Sequence, residues 1–126
     1  MSKQVLVSVV MITYGHEKHI REAIEGVLMQ KGDFSLELII ANDSSPDATD
    51  IVISEMLKTH SKADRIRYIK HEKNIGMMPN FIFALQQAQG KYIALCDGDD
   101  YWTDPYKLQK QVDFLEANSD YVLSFH

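Results

Sequence analysis

Short apolar runs alternate with amphipathic segments along the whole chain, and this alternation restricts the possible folds more than any other feature. Val5 to Ile12 is apolar and rich in β-branched residues, a pattern typical of a strand buried on both faces. From Glu17 to Gln30 the apolar residues recur at helical spacing. Because strands that alternate with helices form parallel sheets, we predict an α/β protein whose mostly parallel sheet is covered by helices on both faces.

The remaining segments continue this pattern. The other predicted strands are Leu36 to Ala41, Arg65 to Ile69, Lys91 to Cys96 and Tyr121 to Phe125. The other predicted helices start at Asp47, Pro79 and Asp104. Ser45 and Pro46 suit the N-cap and the first position of the second helix, and Gly90 suits the end of the third. Because the chain stops inside an apolar strand, we expect it to be the N-terminal part of a longer protein.

The composition fits one globular domain of 126 residues and excludes several classes of protein. Lys and Arg total 13 and Asp and Glu total 18, and the resulting net charge of −5 disfavours nucleic-acid binding. No apolar run approaches the ~20 residues of a membrane span. The single cysteine, Cys96, forms no internal disulfide and suits a reducing compartment. We therefore expect a cytoplasmic domain, with any membrane attachment made by parts outside this chain.

Ligands of open parallel sheets bind beyond the carboxyl ends of the strands, at a topological switch point. The polar segments that follow the predicted strands are Thr13 to Gly15, Asn42 to Ser45, Lys73 to Gly76 and Asp97 to Asp100. The sequence contains neither a G-x-x-x-x-G-K-[ST] phosphate loop nor a G-x-G-x-x-G fingerprint. A phosphorylated ligand would therefore need a metal ion, because an acidic site repels phosphate.

The segment Asp97-Gly98-Asp99-Asp100 is the strongest local signal. Three carboxylates in four residues repel one another unless a cation lies among them. Carboxylate oxygens suit Mg²⁺ or Mn²⁺, and Gly98 allows a tight turn that aims Asp97 and Asp99 to the same side. An acidic turn that only caps the next segment is the alternative, but the position directly after a buried strand favours a ligand site.

Two further strand ends carry weaker signals. Asp43 can accept a hydrogen bond from a base or a ribose hydroxyl, or an Asx turn can account for it instead. Thr13 and Tyr14 offer a hydroxyl and a ring that can stack on a flat ligand, or Tyr14 can simply cover the end of the sheet.

Other reactive residue types are interpreted as structural. His16 and His19 do not form an H-E-x-x-H pair and are expected to be solvated helix residues. Cys96 is expected to be a buried and unreactive residue of the core. Met77 and Met78 are expected to fill gaps under the third helix, and Trp102 is expected to be a packing residue.

Four blocks of the sequence resemble family 2 glycosyltransferases, which have the Rossmann-like GT-A fold. The blocks are Val7 to Tyr14, Glu37 to Asp47, Asn74 to Gly76 and Ala88 to Asp100, in order and across nearly the whole chain. The resemblance implies that residues 1–126 are the nucleotide-sugar-binding, or donor, part of a truncated GT-A domain whose acceptor part lies beyond residue 126. It implies no catalytic base within this chain, and we assign none.

The family resemblance also implies a reaction and a set of contacts. The reaction is the metal-dependent, inverting transfer of a sugar from a nucleoside diphosphate, of the uridine type, to a hydroxyl of a saccharide or lipid-linked acceptor, in cell-surface polysaccharide synthesis. The implied nucleotide-binding residues are Thr13, Tyr14, Asp43, Lys73 and Asp97, and the implied ligands of Mn²⁺ or Mg²⁺ are Asp99 and Asp97.

The chain departs from the family pattern in one motif, and two rival functions stay open. Where family members have Asp-Asp-Gly-Ser, this chain has Asn42-Asp43-Ser44-Ser45, which leaves the backbone of that loop undetermined. A phosphoacceptor receiver domain has the same length and alternation but needs a carboxylate pair where Thr13 and Tyr14 stand. A non-catalytic nucleotide-binding module would keep the same site without the reaction.

Overall fold

The computed structural model describes residues 5–100, 102–117 and 123–124, and its elements alternate as the sequence predicts. The strands are β1 (Val5–Thr13), β2 (Phe34–Asn42), β3 (Ile66–Lys70), β4 (Tyr92–Leu95) and β5 (Leu123–Ser124). The helices are α1 (Ile20–Leu28), α2 (Thr49–Thr59), α3 (Met77–Gln87) and α4 (Lys107–Ala117), with a 3₁₀ turn at Ala63–Arg65. The other positions of the strand predicted at Tyr121 to Phe125 lie outside the described residues.

All the strand pairings are parallel, and the sheet has the order β3-β2-β1-β4-β5. The chain moves outward from β1 to β2 and β3 and then crosses back to β4 on the other side of β1. The carboxyl ends of β1 and β4 therefore meet at a switch point of the Rossmann type. Receiver domains have the order 2-1-3-4-5, so the topology argues against the phosphoacceptor alternative.

Apolar side chains fill both faces of the sheet. Val9 and Met11 of β1 belong to the larger core, which lies under α1, α2 and α4. Val10 points to the other face and packs with Ala84 of α3. This division confirms the prediction of helices on both faces, and it explains why β1 is apolar at consecutive positions. Within the described ranges, no helix is both long and apolar enough to span a bilayer.

Several predicted helix ends were wrong because loop contacts replace regular caps. Helix α1 begins at Ile20 rather than Glu17, since the preceding residues form turns. Helix α2 begins at Thr49, and Ser45 and Pro46 lie in the loop before it. The carboxylate of Asp47 accepts hydrogen bonds from the Thr49 backbone N–H at 3.0 Å and from its hydroxyl at 2.5 Å. Asp47, rather than Ser45, therefore supplies the side-chain acceptor for the first residue of the helix, although Ala48 holds the N-cap position.

The ends of α3 also differ from the prediction. The helix begins at Met77 rather than Pro79, and it ends at Gln87, so Gly90 does not cap it. Gly90 instead lies against β1, where a Cβ atom would stand 2.7 Å from the Leu6 carbonyl oxygen and 2.7 Å from the Ser8 nitrogen. The glycine is therefore required by the close approach of two backbones.

A buried polar cluster fixes the segment between α3 and β4 on the sheet, and we call it the Glu37 cluster. The Glu37 carboxylate accepts hydrogen bonds from the Ser8 hydroxyl at 2.5 Å, the Gln89 N–H at 2.8 Å and the Arg67 guanidinium at 3.3 Å. The Gly90 N–H donates to the Ser8 hydroxyl at 2.8 Å. Burial alone would raise the pKa of Glu37, but these donors outweigh it and hold the pKa below the usual 4.5.

Candidate functional site

A cleft of about 360 Å³ opens at the switch point, beyond the carboxyl ends of β1, β2 and β4 and beside the start of α3. It is lined by Ile12, Thr13, Tyr14, His16, Asp43, Asn74, Gly76, Met77, Asn80, Asp97 and Asp99. The fold thus brings five of the six predicted site residues to one cleft. Lys73, the sixth, is exposed and is not part of the lining.

Three carboxylates cluster where β4 ends. Asp97, Asp99 and Asp100 each offer an oxygen, and these oxygens lie within 4.8 Å of one another. Desolvation of the Asp97 carboxyl in the cleft, together with the charges of Asp100 and Asp99, raises its pKa, and His16 opposes the effect. A divalent cation would relieve this repulsion, and an all-oxygen donor set suits Mg²⁺ or Mn²⁺. The residues present therefore fit such an ion.

The turn at Gly98 is packed directly against the end of β1. Its backbone N–H donates to the Ile12 carbonyl at 3.0 Å, and this hydrogen bond continues the pairing of β1 with β4. A Cβ atom at Gly98 would stand 2.6 Å from the Thr13 hydroxyl oxygen and 2.7 Å from His16 Nδ1. Glycine is needed here because of this close approach, and the approach brings Asp97 and Asp99 to the Thr13 side of the cleft.

His16 lies in the cleft, so the prediction of a solvated helix residue was wrong for it. Its Nδ1 is 2.9 Å from the Thr13 hydroxyl oxygen, and its Nε2 is 4.0 Å from a carboxylate oxygen of Asp99. The cause is the late start of α1 at Ile20, which leaves His16 in the turn that follows β1. His19 is exposed, as predicted, and does not line the cleft.

Asp43 is buried at the end of β2 and holds the loop before α3. Its two carboxylate oxygens accept the backbone N–H groups of Ile75 at 2.7 Å and Gly76 at 3.0 Å. The Asn74 side chain donates to the Asp43 carbonyl at 3.1 Å. Gly76 has a φ of +95°, which glycine adopts readily. The carboxylate therefore fixes the wall of the cleft on this side while also lining it.

The structure resolves the loop whose sequence departs from the family pattern. Ser44 has a φ of +58° and so adopts the left-handed conformation at the position where family members have glycine. The Asn42 side-chain oxygen accepts hydrogen bonds from the Ser45 N–H at 3.1 Å and from the Ser45 hydroxyl at 2.6 Å, and these bonds hold the loop. The Asn42 amide also donates to the Tyr68 hydroxyl, which in turn donates to Asp50. An acceptor-only carboxylate at position 42 could not supply that donor.

The mouth of the cleft carries aromatic and apolar groups. Tyr14 is 51% exposed, so its ring is accessible from solvent. Met77 and Met78 are 73% and 61% exposed, and the prediction that they fill gaps under α3 was wrong because they form the first turn of that helix. Sequence reasoning also missed Asn80, a buried side chain that donates to the Ala41 carbonyl at 3.0 Å. No local sequence motif predicts a role for Asn80, which is revealed only by the packing of α3 on β2.

Two residues near the acidic turn behave as expected. Trp102 is buried in the larger core. Cys96 is buried as well, and desolvation together with the charges of Asp100 and Asp97 raises the pKa of its thiol to about 12. Its burial confirms the predicted place in the core, and the raised pKa disfavours the thiolate that a nucleophilic role needs.

Comparisons with known proteins agree with this arrangement. The chain is 44% identical over 119 residues to an uncharacterized protein of Mycobacterium tuberculosis, covering 94% of this chain and 34% of the relative. It is 36% identical over 115 residues to the putative teichuronic acid biosynthesis glycosyltransferase TuaG of Bacillus subtilis, covering 90% of this chain and 43% of that protein.

The fold of a solved glycosyltransferase matches as well. TarS from S. aureus, in complex with UDP, superimposes with a TM-score of 0.74 and 26% identity, covering 90% of this chain and 32% of TarS. The chain thus spans about a third of the length of several of the proteins it matches. The sequence model described as Glycosyl transferase family 2 matches residues 8–125. The chain therefore belongs to glycosyltransferase family 2 and has the α/β fold of its GT-A members.

Proposed function

We propose that this chain is the donor-binding part of a glycosyltransferase that transfers a sugar from a nucleoside diphosphate to an acceptor hydroxyl, with inversion at the anomeric carbon. The observation that carries the proposal is the cleft at the switch point, where an acidic cluster lies beside Thr13 and Asp43. UDP in the related TarS supports a uridine nucleotide. TuaG, a putative teichuronic acid biosynthesis enzyme, supports a saccharide or lipid-linked acceptor of the cell surface.

The nucleoside would occupy the side of the cleft formed by β1 and β2. There Tyr14 offers an accessible ring face for the base, and Thr13 offers a hydroxyl. The Asp43 carboxylate is already held by two backbone donors, so it can accept a further hydrogen bond from a base without moving. Asp97 would face the ribose. We assign no contact to Lys73, because it does not line the cleft.

Asp99 and Asp97 would hold the divalent cation, either Mn²⁺ or Mg²⁺, at the diphosphate side of the cleft. Bound there, the ion would neutralise the negative charge of the leaving nucleoside diphosphate. The carboxylates themselves would bind the donor through that ion. Without the ion they would repel the donor, because a chain of net charge −5 repels a diphosphate. The contribution of this chain to transfer is thus to bind and orient the donor.

Isothermal titration calorimetry with UDP tests the proposal. We expect binding in Mn²⁺ and a large loss of affinity after chelation with EDTA. Asp99→Asn removes one charged ligand and should lower the affinity in Mn²⁺ about tenfold or more, as loss of one charge-assisted contact does. Asp33→Asn is the matched control, because Asp33 is exposed before the amino end of β2, away from the cleft.

Three outcomes would contradict parts of the proposal or all of it. Equal affinity for UDP in Mn²⁺ and in EDTA would reject the metal-dependent site. Full metal-dependent affinity in Asp99→Asn would reject the assignment of that ligand. Absence of any binding to UDP, GDP or their sugar conjugates would reject a donor site altogether.

A further inference from the structure

His16 is the only basic side chain in the lining of the cleft, as far as the described residues show. The other ionisable groups of the lining are the acids Asp43, Asp97 and Asp99 and the phenol of Tyr14. If the proposed function holds, a diphosphate enters this acidic cleft, and a hydrogen-bond donor aimed at its oxygens would add to what a metal ion supplies. The position of the His16 ring meets that requirement.

One backbone hydrogen bond and two contacts at the Nδ1 edge of the ring hold His16 in place. Its backbone N–H donates to the Thr49 hydroxyl at 3.0 Å, which ties the turn after β1 to the start of α2. Its Nδ1 is 2.9 Å from the Thr13 hydroxyl, and the backbone of Gly98 packs against the same edge of the ring. A ring held in this way loses little conformational freedom when it binds a ligand.

The free edge of the ring faces the carboxylates. Nε2 is 4.0 Å from the nearest Asp99 oxygen, which is beyond hydrogen-bond distance. If the Thr13 hydroxyl donates to Nδ1, the proton of the neutral imidazole is on Nε2, and the N–H group rather than a lone pair faces Asp99. The nearby negative charge favours that tautomer. The ring then presents an N–H donor to the cleft.

We propose that His16 binds the donor directly, through a hydrogen bond from its Nε2–H to a phosphate oxygen of the nucleoside diphosphate. The neutral imidazole suffices for this contact. His16 would thus complement Asp97 and Asp99, which act on the same phosphates only through a cation. Residues that follow β1 and residues that follow β4 would thus both act on the diphosphate.

Titrations of UDP and of uridine into the chain, in Mg²⁺ and followed by two-dimensional amide NMR, test this role. We expect His16→Ala to weaken UDP binding about tenfold or more, as loss of a hydrogen bond to a charged group does. Uridine has no phosphate, so its affinity should stay unchanged. His16→Gln should restore part of the UDP affinity, since its amide can donate from a similar position. His19→Ala, on the exposed neighbouring turn, should match the wild type.

The remaining outcomes overturn the inference. Equal losses of UDP and uridine affinity in His16→Ala would show that the ring only supports the cleft. A matching loss of affinity for Mn²⁺ alone, measured by electron paramagnetic resonance of the free ion, would show that Nε2 acts on the metal instead. UDP affinity unchanged in His16→Ala, with normal binding by the wild type, would refute the contact while leaving the proposed function intact. Failure of the wild type to bind UDP would instead reject the proposed function.

Discussion

Replacing Glu37 by alanine removes the acceptor on which the Glu37 cluster depends. The Ser8 hydroxyl and the Gln89 N–H lose their acceptor, and the Arg67 guanidinium loses one of its partners. The contact with Gln89 joins the segment after α3 to the sheet, so the change loosens the entry to β4. The cleft lies at the opposite end of β4, which separates this perturbation from direct effects on binding.

The magnitude follows from the burial of these contacts. Glu37 and Ser8 are 8% and 0% exposed, so the hydroxyl has little access to water once the carboxylate is gone. Hydrogen bonds to charged groups contribute about 1.5–3 kcal/mol each, and breaking a buried charged network costs about 3–5 kcal/mol. The bond to Arg67 adds little, because the arginine side chain is 40% exposed. We therefore expect Glu37→Ala to lower the free energy of unfolding by about 3–5 kcal/mol, a large share of the ~5–15 kcal/mol of a typical domain.

Urea unfolding followed by circular dichroism measures this loss. The midpoint should fall with an unchanged slope, and Glu37→Gln should cost less, about 1–2 kcal/mol, because it keeps one carbonyl acceptor. The double variant with Ser8→Ala should be less destabilised than the sum of the two single changes, since both remove the same bond. A loss below about 1 kcal/mol in Glu37→Ala would refute the reasoning.

The lowered pKa of Glu37 adds a pH dependence with a definite sign. A carboxyl whose pKa is lower in the folded state than in the unfolded chain stabilises the fold at pH values above the unfolded pKa. That contribution is lost as the pH falls through the folded pKa. The difference in unfolding free energy between the wild type and Glu37→Gln should therefore shrink between about pH 7 and about pH 3. A difference that stays constant over this range would contradict the assignment.

Three further predictions concern single positions. Gly90→Ala should cost about 1–3 kcal/mol in urea unfolding, because its Cβ would clash with the backbone of β1, and an unchanged midpoint would disprove the close approach. Ser44→Gly should raise the free energy of unfolding by about 0.5–1 kcal/mol, since relief of the left-handed backbone outweighs the entropy of glycine; a decrease would argue against the strain. Cys96 should react with Ellman's reagent at pH 8 only after unfolding, because burial and the neighbouring charges of Asp100 and Asp97 raise the pKa of its thiol to about 12.

The sheet and most of the site could be predicted from the sequence because both depend on local patterns. Val5 to Ile12 is mostly apolar and rich in β-branched residues, a pattern typical of a strand buried on both faces. Once the alternation of elements predicts a parallel sheet, the residues after each strand are expected at one edge. This is why Thr13, Asp43 and Asp97 were predicted correctly to lie near one another.

What escaped prediction depends on contacts between segments far apart in the sequence. His16 was assigned to a helix because helical spacing starts near it, whereas hydrogen bonds to Thr13 and Thr49 hold it in the turn. The sequence predicts a helix cap at Gly90, whereas the structure shows a close approach of Gly90 to β1. The Thr49 partner of His16 and the Ser8 partner of Gly90 lie 33 and 82 residues away in the sequence, so local pattern reasoning cannot reveal these contacts.

The strand order also has a consequence for how the chain acquires its cleft. Val7 of β1 pairs with Tyr92 of β4, so most of the chain separates the two strands that flank the cleft. Forming such a distant parallel pairing is slow, because the loop must close before any contact compensates for its lost entropy. During synthesis on the ribosome, β1 and β2 can associate early, but the acidic wall is added only after the turn at Gly98 has emerged from the exit tunnel. A ligand of this cleft can therefore bind only after the segment up to Asp100 has been synthesised.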